Sequence, residues 1–317
     1  MDRELLKKLG NARQLGGITE YTLTGGAAHG MRMVSVSNGA MEIELSASRC
    51  LDITSFTYKG INLGFISKNG YVDVTQSYTS ARSFAASFPG GFLYTCGLDN
   101  IGVSEGYLQH GRISSCPADV VRQKTDYNGC GFDYEVQAEM TQAELFGANL
   151  SLVRTIRTST DMPGFTLSDT VTNKGFCPAP LIALYHFNFG YPMLDEGAML
   201  STGGKRTEGI TQKATDNIAR ALVMEAPSDG EEEECFYHLE APGKASLTNS
   251  KLGLKATVEY DSQKLPVLVE WKSMASGDYA LGVEPATSVF GKEKTMVMLK
   301  PGQSLTFDFR VTVEQTR

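Results

Sequence analysis

The chain has 317 residues, 41% of them hydrophobic and 21% charged, with a formal net charge of -7. That is enough apolar side chain for a sizeable core, while the acidic balance and dispersed Lys and Arg exclude a nucleic-acid binder, whose phosphates need clustered cations. No apolar stretch is long enough to cross a bilayer and the charged start, MDRELLKKLG, lacks a secretory apolar segment, so no membrane partner and a cytoplasmic location are expected.

In chain order, residues 2–9 predict a short helix, with Asp2 as N-cap and Gly10 as terminator. Alternation with period two predicts a strand at 41–46, after the turn signal Asn38-Gly39, and a further turn falls at Asn69-Gly70. The pattern is strong at 132–140, after Asn128-Gly129: Phe132, Tyr134, Val136, Ala138 and Met140 share one face, and Asp133, Glu135, Gln137 and Glu139 the other. Weaker alternation marks 150–156, 165–171 and 254–260, and 181–189 also reads as a strand. Residues 214–223 carry a weak helical signal, and the acidic run Glu231–Glu234 reads as a solvated loop. After Pro301-Gly302, Leu305, Phe307, Phe309, Val311 and Val313 alternate with polar residues.

No βαβ rhythm and no fixed-period repeat emerges, and no Ser/Gly/Pro linker divides the chain. The expected architecture is all-β, a large antiparallel β-sandwich with few short helices, forming one domain over residues 1–317. The six cysteines at 50, 96, 116, 130, 177 and 235 are widely spaced without C-x-x-C, which predicts reduced, half-buried thiols.

Four segments depart from ordinary strand composition. Gly90–Asn100 is glycine-rich and is followed by Gln109-His110-Gly111-Arg112. Asp99, Asn100, His110 and Arg112 offer the mixed donors and acceptors that sugar hydroxyls need, although a bent strand with bulges accounts for the glycines equally well. In 181–189, His186 and Asn188 share a face opposite Tyr185, Phe187 and Phe189. The imidazole, with an unperturbed pKa of about 6.5, suits proton transfer near neutrality, but a satisfied structural histidine is an alternative. In 279–284, Ala280, Gly282 and Glu284 share a face, where two small residues leave room beside a carboxylate; a solvated or Arg-paired Glu is the plainer reading. The one tryptophan, Trp271, could stack on a sugar or fill a core, and Lys272 could bind a ligand or sit at the surface. No phosphate-binding loop, nucleophile elbow or H-E-x-x-H occurs, and His29, His110, His186 and His238 lack metal-ligand spacing, so neither a metal nor a cofactor is expected.

Taken in order, Arg49-Cys50-Leu51-Asp52-Ile53, GGFLYTCGLDNIG (90–102), QHGRIS (109–114), LYHFNFGYPMLDEGA (184–198) and GDYALGVEPAT (277–287) resemble the galactose mutarotase-like superfamily. Within it they are most similar to an aldose 1-epimerase-like branch formerly of unknown function. The resemblance spans roughly residues 10–313 and implies the supersandwich fold and a small-molecule sugar substrate. It implies His186 as acid and Glu284 as base in the interconversion of α and β anomers, which needs no cofactor, with His110 holding the sugar. Arg49, Asp52, Asn188, Trp271 and Lys272 join Asp99, Asn100 and Arg112 as candidate substrate contacts. Glu234 or His238 stands where the larger family has a sugar-binding aspartate, and Leu98-Asp99-Asn100-Ile101 replaces its Asn-Arg pair. A non-catalytic sugar sensor, or an isomerase acting at another carbon, are the alternative functions.

Overall fold

The structure is a computed structural model and describes residues 3–74 and 81–316. Their strands pair antiparallel into three sheets. The first takes Gly17–Thr22, Arg32–Ser37, Met41–Ser46, Asp52–Tyr58 and Ile61–Asn62 in chain order. The second has eight strands, in the order Met199–Ser201, Lys244–Asn249, Leu254–Tyr260, Ser304–Gln315, Gly164–Asn173, Asn149–Ser159, Phe132–Ala143 and Ala118–Tyr127. The third centres on Ala179–Phe189. Leu93–Leu98 pairs along one edge of that strand and Asp278–Ala286 along the other, while Val297–Leu299 pairs with its first residues. From Asp278–Ala286 the sheet continues through Val267–Ala275 and Glu234–Leu239 to Arg206–Gly209.

The period-two segments are these strands: 41–46 and 254–260 match their bounds, and the others extend by a few residues. Left-handed glycines at 39, 129 and 302 make the turns that Asn-Gly and Pro-Gly announce. The N-terminal helix spans Arg3–Lys8, and its expected cap Asp2 lies outside the described residues. The weak signal at 214–223 resolves into a helix Gln212–Asp216, capped by Thr211 accepting the Ala214 N–H at 3.2 Å, and a single 3-10 turn, Ile218–Arg220.

Inward faces of the three sheets share one hydrophobic cluster, from Ile18 to Val313. Tyr185 and Phe187 of the third sheet pack on Phe309 of the second, with centroids 4.4 and 5.4 Å apart. Phe56 and Phe92 close on Phe165 at 5.4 and 6.3 Å. Each such ring contributes about 1.5–3 kcal/mol by leaving water. All six cysteines are free; Cys130 and Cys177 are exposed rather than half-buried.

A charged network interrupts this core. Arg154 and Asp169 face each other across neighbouring strands at inward positions, and the guanidinium grips Asp169 with two bonds of 2.9 and 2.7 Å. Arg154 also donates to Asp52 at 2.8 Å, to Thr95 Oγ1 at 2.7 Å and to the carbonyls of Cys50 and Leu51. Cys50 and Leu51 adopt left-handed φ of 54° and 52°, aiming those carbonyls at the cation. Asp52 accepts the Thr95 N–H and hydroxyl as well; burial lifts its pKa, against the pull of Arg154. Arg49, also buried, donates to the Val72 carbonyl at 2.9 Å. Asp52 therefore belongs to this interior framework, which corrects the expectation that it contacts substrate.

Candidate active site

Strand register determines which distant residues meet. Tyr237 pairs with Val269, Val269 with Glu284, and His186 with Tyr94. The pairs Phe187–Val283 and Leu184–Ala286 set His186 across from Glu284. Paired residues share a sheet face, so Tyr237, Val269, Glu284, His186 and Tyr94 form one row on the face opposite Tyr185 and Phe187. The next row is Cys235, Trp271, Gly282 and Asn188.

His186 and Glu284 are 5% and 2% exposed and form part of the wall of a cavity of about 880 Å³. His186 Nε2 lies 3.0 Å from Glu284 Oε1. The approach is close without hydrogen-bond geometry: among the described residues, Glu284 Oε1 and His186 Nδ1 have no hydrogen-bond partner. A buried carboxylate oxygen left open in this way is costly unless a ligand completes it.

His110 reaches the same cavity from a loop. Its ring centroid is 5.9 Å from that of His186 and 5.1 Å from that of Phe84. Burial and then the neighbouring His186 push its pKa down to about 3, so the ring is neutral at physiological pH. Nδ1 accepts the Gly102 N–H at 3.4 Å, which leaves the proton on Nε2 as a donor. The loop is built for this placement. Gly111, with φ +77°, passes so close to the Gly97 carbonyl that a Cβ would lie 2.2 Å from it. Asn100 is buried, donates to the Gly102 and Leu108 carbonyls, and accepts Lys294 Nζ at 2.8 Å. Asn100 holds the loop and does not line the cavity.

Trp271 lines the cavity with its centroid 5.4 Å from the His186 ring, and its Nε1 donates to Glu233 at 2.7 Å. Phe88 stands 5.9 Å from His186, and Phe65 and Phe290 add further apolar surface. Unlike Trp271, these phenylalanines lie outside the segments that the sequence singles out. The spacing of Phe84 and Phe88, one helical turn apart and joined by the Phe88 N–H to Phe84 carbonyl bond, was the available signal. The acidic run is not simply a solvated loop: Glu231 and Glu233 line the cavity, while Glu234 is buried and accepts from Asn217. Burial raises the Cys235 thiol pKa, with Glu284 adding to the effect, so this wall residue stays protonated.

The remaining candidates lie elsewhere. Glu234, His238 and Lys272 are on the opposite face of the sheet, one residue out of phase with Cys235, Tyr237 and Trp271. His238 bridges Glu270 at 2.7 Å and Thr207 at 3.1 Å, and Lys272 holds the carbonyls of Arg220 and Val223 and the Glu225 carboxylate. Asp99 and Arg112 pair with each other at 2.7 Å beside the His110 loop. Asn188 shares the His186 face but is fully covered, and it donates to the Gly91 and His186 carbonyls. Of the thirteen candidates, His186, Glu284, His110 and Trp271 converge on the cavity. Among the described residues, no three His, Cys, Asp or Glu side chains are grouped to hold a metal ion, and no helix is long and apolar enough to cross a membrane.

The chain matches the family model described as "Domain of unknown function (DUF4432)" over residues 28–313. No curated protein matches it. Among solved structures it is similar to a protein of Klebsiella pneumoniae subsp. pneumoniae provisionally assigned as an aldose 1-epimerase, at 22% identity and a TM-score of 0.88, covering 100% of this chain and 87% of that one. A galactose mutarotase-like protein of Clostridium acetobutylicum aligns at 15% identity and a TM-score of 0.69, over 96% of this chain and 100% of the other. Galactose 1-epimerase of Lactobacillus acidophilus NCFM aligns at 11% identity and a TM-score of 0.65, over 95% and 100%. The chain thus belongs to the DUF4432 family, and its fold is that of the galactose mutarotase-like proteins.

Proposed function

We propose that this protein is an aldose 1-epimerase that interconverts the α and β anomers of a sugar, with Glu284 as base and His186 as acid. The observation that carries the reading is the 3.0 Å approach of His186 Nε2 to an otherwise unbonded Glu284 Oε1 at the wall of an aromatic-lined cavity. Glu284 takes the proton of the anomeric hydroxyl. As the C1 carbonyl forms, the bond from C1 to the ring oxygen breaks and that oxygen takes the proton held on His186 Nε2. Rotation about C1–C2 presents the other carbonyl face. His186 then recovers its proton from the hydroxyl that re-closes the ring, and Glu284 returns its proton to the new anomeric oxygen. The atoms balance without a cofactor. Neutral His110 donates a hydrogen bond to a sugar oxygen, and Trp271 and Phe88 cover the C–H faces of the ring.

Each proton-transfer group contributes about 10²–10⁴-fold, non-additively. The test follows freshly dissolved anomers by polarimetry or NMR across a broad panel of neutral and modified sugars. Glu284→Gln and His186→Ala are each expected to lower the enzyme-dependent rate by about 10²-fold or more. A wild-type protein that never exceeds the buffer rate refutes the proposal, and saturable binding without a rate effect assigns a sensor instead.

A further inference from the structure

We infer that Gly282 is a positioning residue of this site: its missing side chain is the space in which Glu284 and His186 meet. The inference rests on the dyad proposed above and concerns a position with no side chain to make a contact. Gly282 lies two residues before Glu284, on the same face of the strand Asp278–Ala286, between Trp271 and Asn188 in register. A Cβ built there would lie 2.5 Å from Glu284 Oε1, 2.9 Å from His186 Cε1 and 3.0 Å from Trp271 Cβ. Three of the converging groups of the site would thus meet one added methyl.

The backbone does not explain the glycine. Gly282 is absent from the left-handed conformations that favour this residue, and the strand geometry is one that alanine adopts readily. A strand interior is also where glycine is disfavoured, since it carries the larger entropy loss and packs nothing. What opposes a side chain is the dyad. To restore an ordinary contact of 3.4 Å from 2.5 Å, the carboxylate oxygen must retreat by about 0.9 Å. Displacements of about 1 Å at a reacting group slow catalysis by roughly 10²-fold. Any such retreat takes the carboxylate oxygen from its place 3.0 Å from His186 Nε2.

Gly282→Ala is therefore expected to fold with wild-type secondary structure by circular dichroism, to keep KM within about 3-fold, and to lose kcat by about 10²-fold. The discriminating measurement is a double-mutant cycle with Glu284→Gln. If Gly282 acts through the dyad, adding Gly282→Ala to Glu284→Gln slows the reaction by much less than the roughly 10²-fold it costs the wild type, the remainder being the loss through His186. Losses that multiply, or a Gly282→Ala variant at the wild-type rate, overturn the assignment, as does a loss confined to KM, which would mean that the methyl merely crowds the sugar. A second readout is independent of turnover. The NMR signal of the His186 Cε1–H moves in Gly282→Ala and stays in place in Ala280→Gly, a control two residues back on the same face. A signal unmoved in Gly282→Ala overturns the placement. Should the wild type accelerate no sugar, the aldose 1-epimerase reading fails while this signal still decides the role of Gly282.

Discussion

Replacing Arg154 with Met tests how the charged network within the core is held. Arg154 is 0% exposed and makes six hydrogen bonds, to Asp169, Asp52, Thr95 and two left-handed carbonyls. Met fills much of the volume but leaves two interior carboxylates without their cation. Removing one partner of a buried ion pair costs about 3–5 kcal/mol. At about 2 °C per kcal/mol for a chain of this size, Tm falls by roughly 6–10 °C. The sign of the pH dependence identifies the cause. Asp52 already has a raised pKa from burial, and without Arg154 only the two Thr95 hydrogen bonds are left to offset that rise. The folded variant then holds protons that the unfolded chain releases, so its deficit against the wild type is smallest near pH 4 and grows as pH rises above it. Urea denaturation at several pH values, with differential scanning calorimetry, measures both. The triple variant Asp52→Asn/Arg154→Met/Asp169→Asn removes the charges together and regains most of the loss. A deficit below about 1 kcal/mol, one independent of pH between 4 and 7, or a triple variant no better than Arg154→Met would refute this account.

His110 titrates in the unfolded chain near 6.5 and in the fold at about 3, so between those values the unfolded chain binds a proton that the fold refuses. That contribution to stability is complete above pH 6.5 and declines as pH falls toward 3; His110→Gln should flatten the acid limb of the urea-denaturation profile, and an unchanged limb contradicts the burial of a neutral ring. Trp271 is the protein's one tryptophan and lies 5.4 Å from the His186 ring, so a sugar in the cavity should change its emission saturably. Emission that stays constant at sugar concentrations saturating the reaction would place the substrate elsewhere. Lys294→Ala unfastens Asn100 and Ser104 in the loop bearing His110 and should raise KM several-fold with little change in Tm; an unaltered KM refutes the strap.

Period-two alternation made much of the second sheet legible, because a half-buried antiparallel strand writes its two faces directly into sequence. It carries no information about which strands become neighbours. His186 and Glu284 meet only because Ala179–Phe189 pairs with Asp278–Ala286 in one register, and a slip of one residue would turn either side chain to the other face. Resemblance to a family implied that the two residues act together; alternation within each segment could not. The aromatic side of the cavity was hidden for a different reason, since Phe84 and Phe88 belong to a helical turn outside every alternating segment.

Strand parity also fixes which charged residues lie inside. In 150–156, Arg154 continues the inward series Leu150, Leu152 and Ile156; in 165–171, Asp169 continues Phe165, Leu167 and Val171. A cation and an acid, each at a core position of its own strand, announce a buried pair before any coordinates exist, because neither is stable there alone. The same rule bears on the site. Trp271 and Lys272 are neighbours in one strand and face opposite ways, so a cavity that takes the indole cannot take the ammonium. Glu234 and His238 share parity with Phe236, a core residue, and oppose Cys235 and Tyr237. Once Trp271 is on the cavity face, its pairing with Cys235 places Glu234 and His238 behind the sheet. A site built on a sheet is thus constrained by a binary choice at each strand, and one established contact settles the facing of the other residues as far as the next bulge, such as those at Glu44/Leu45 and Ala118/Val120.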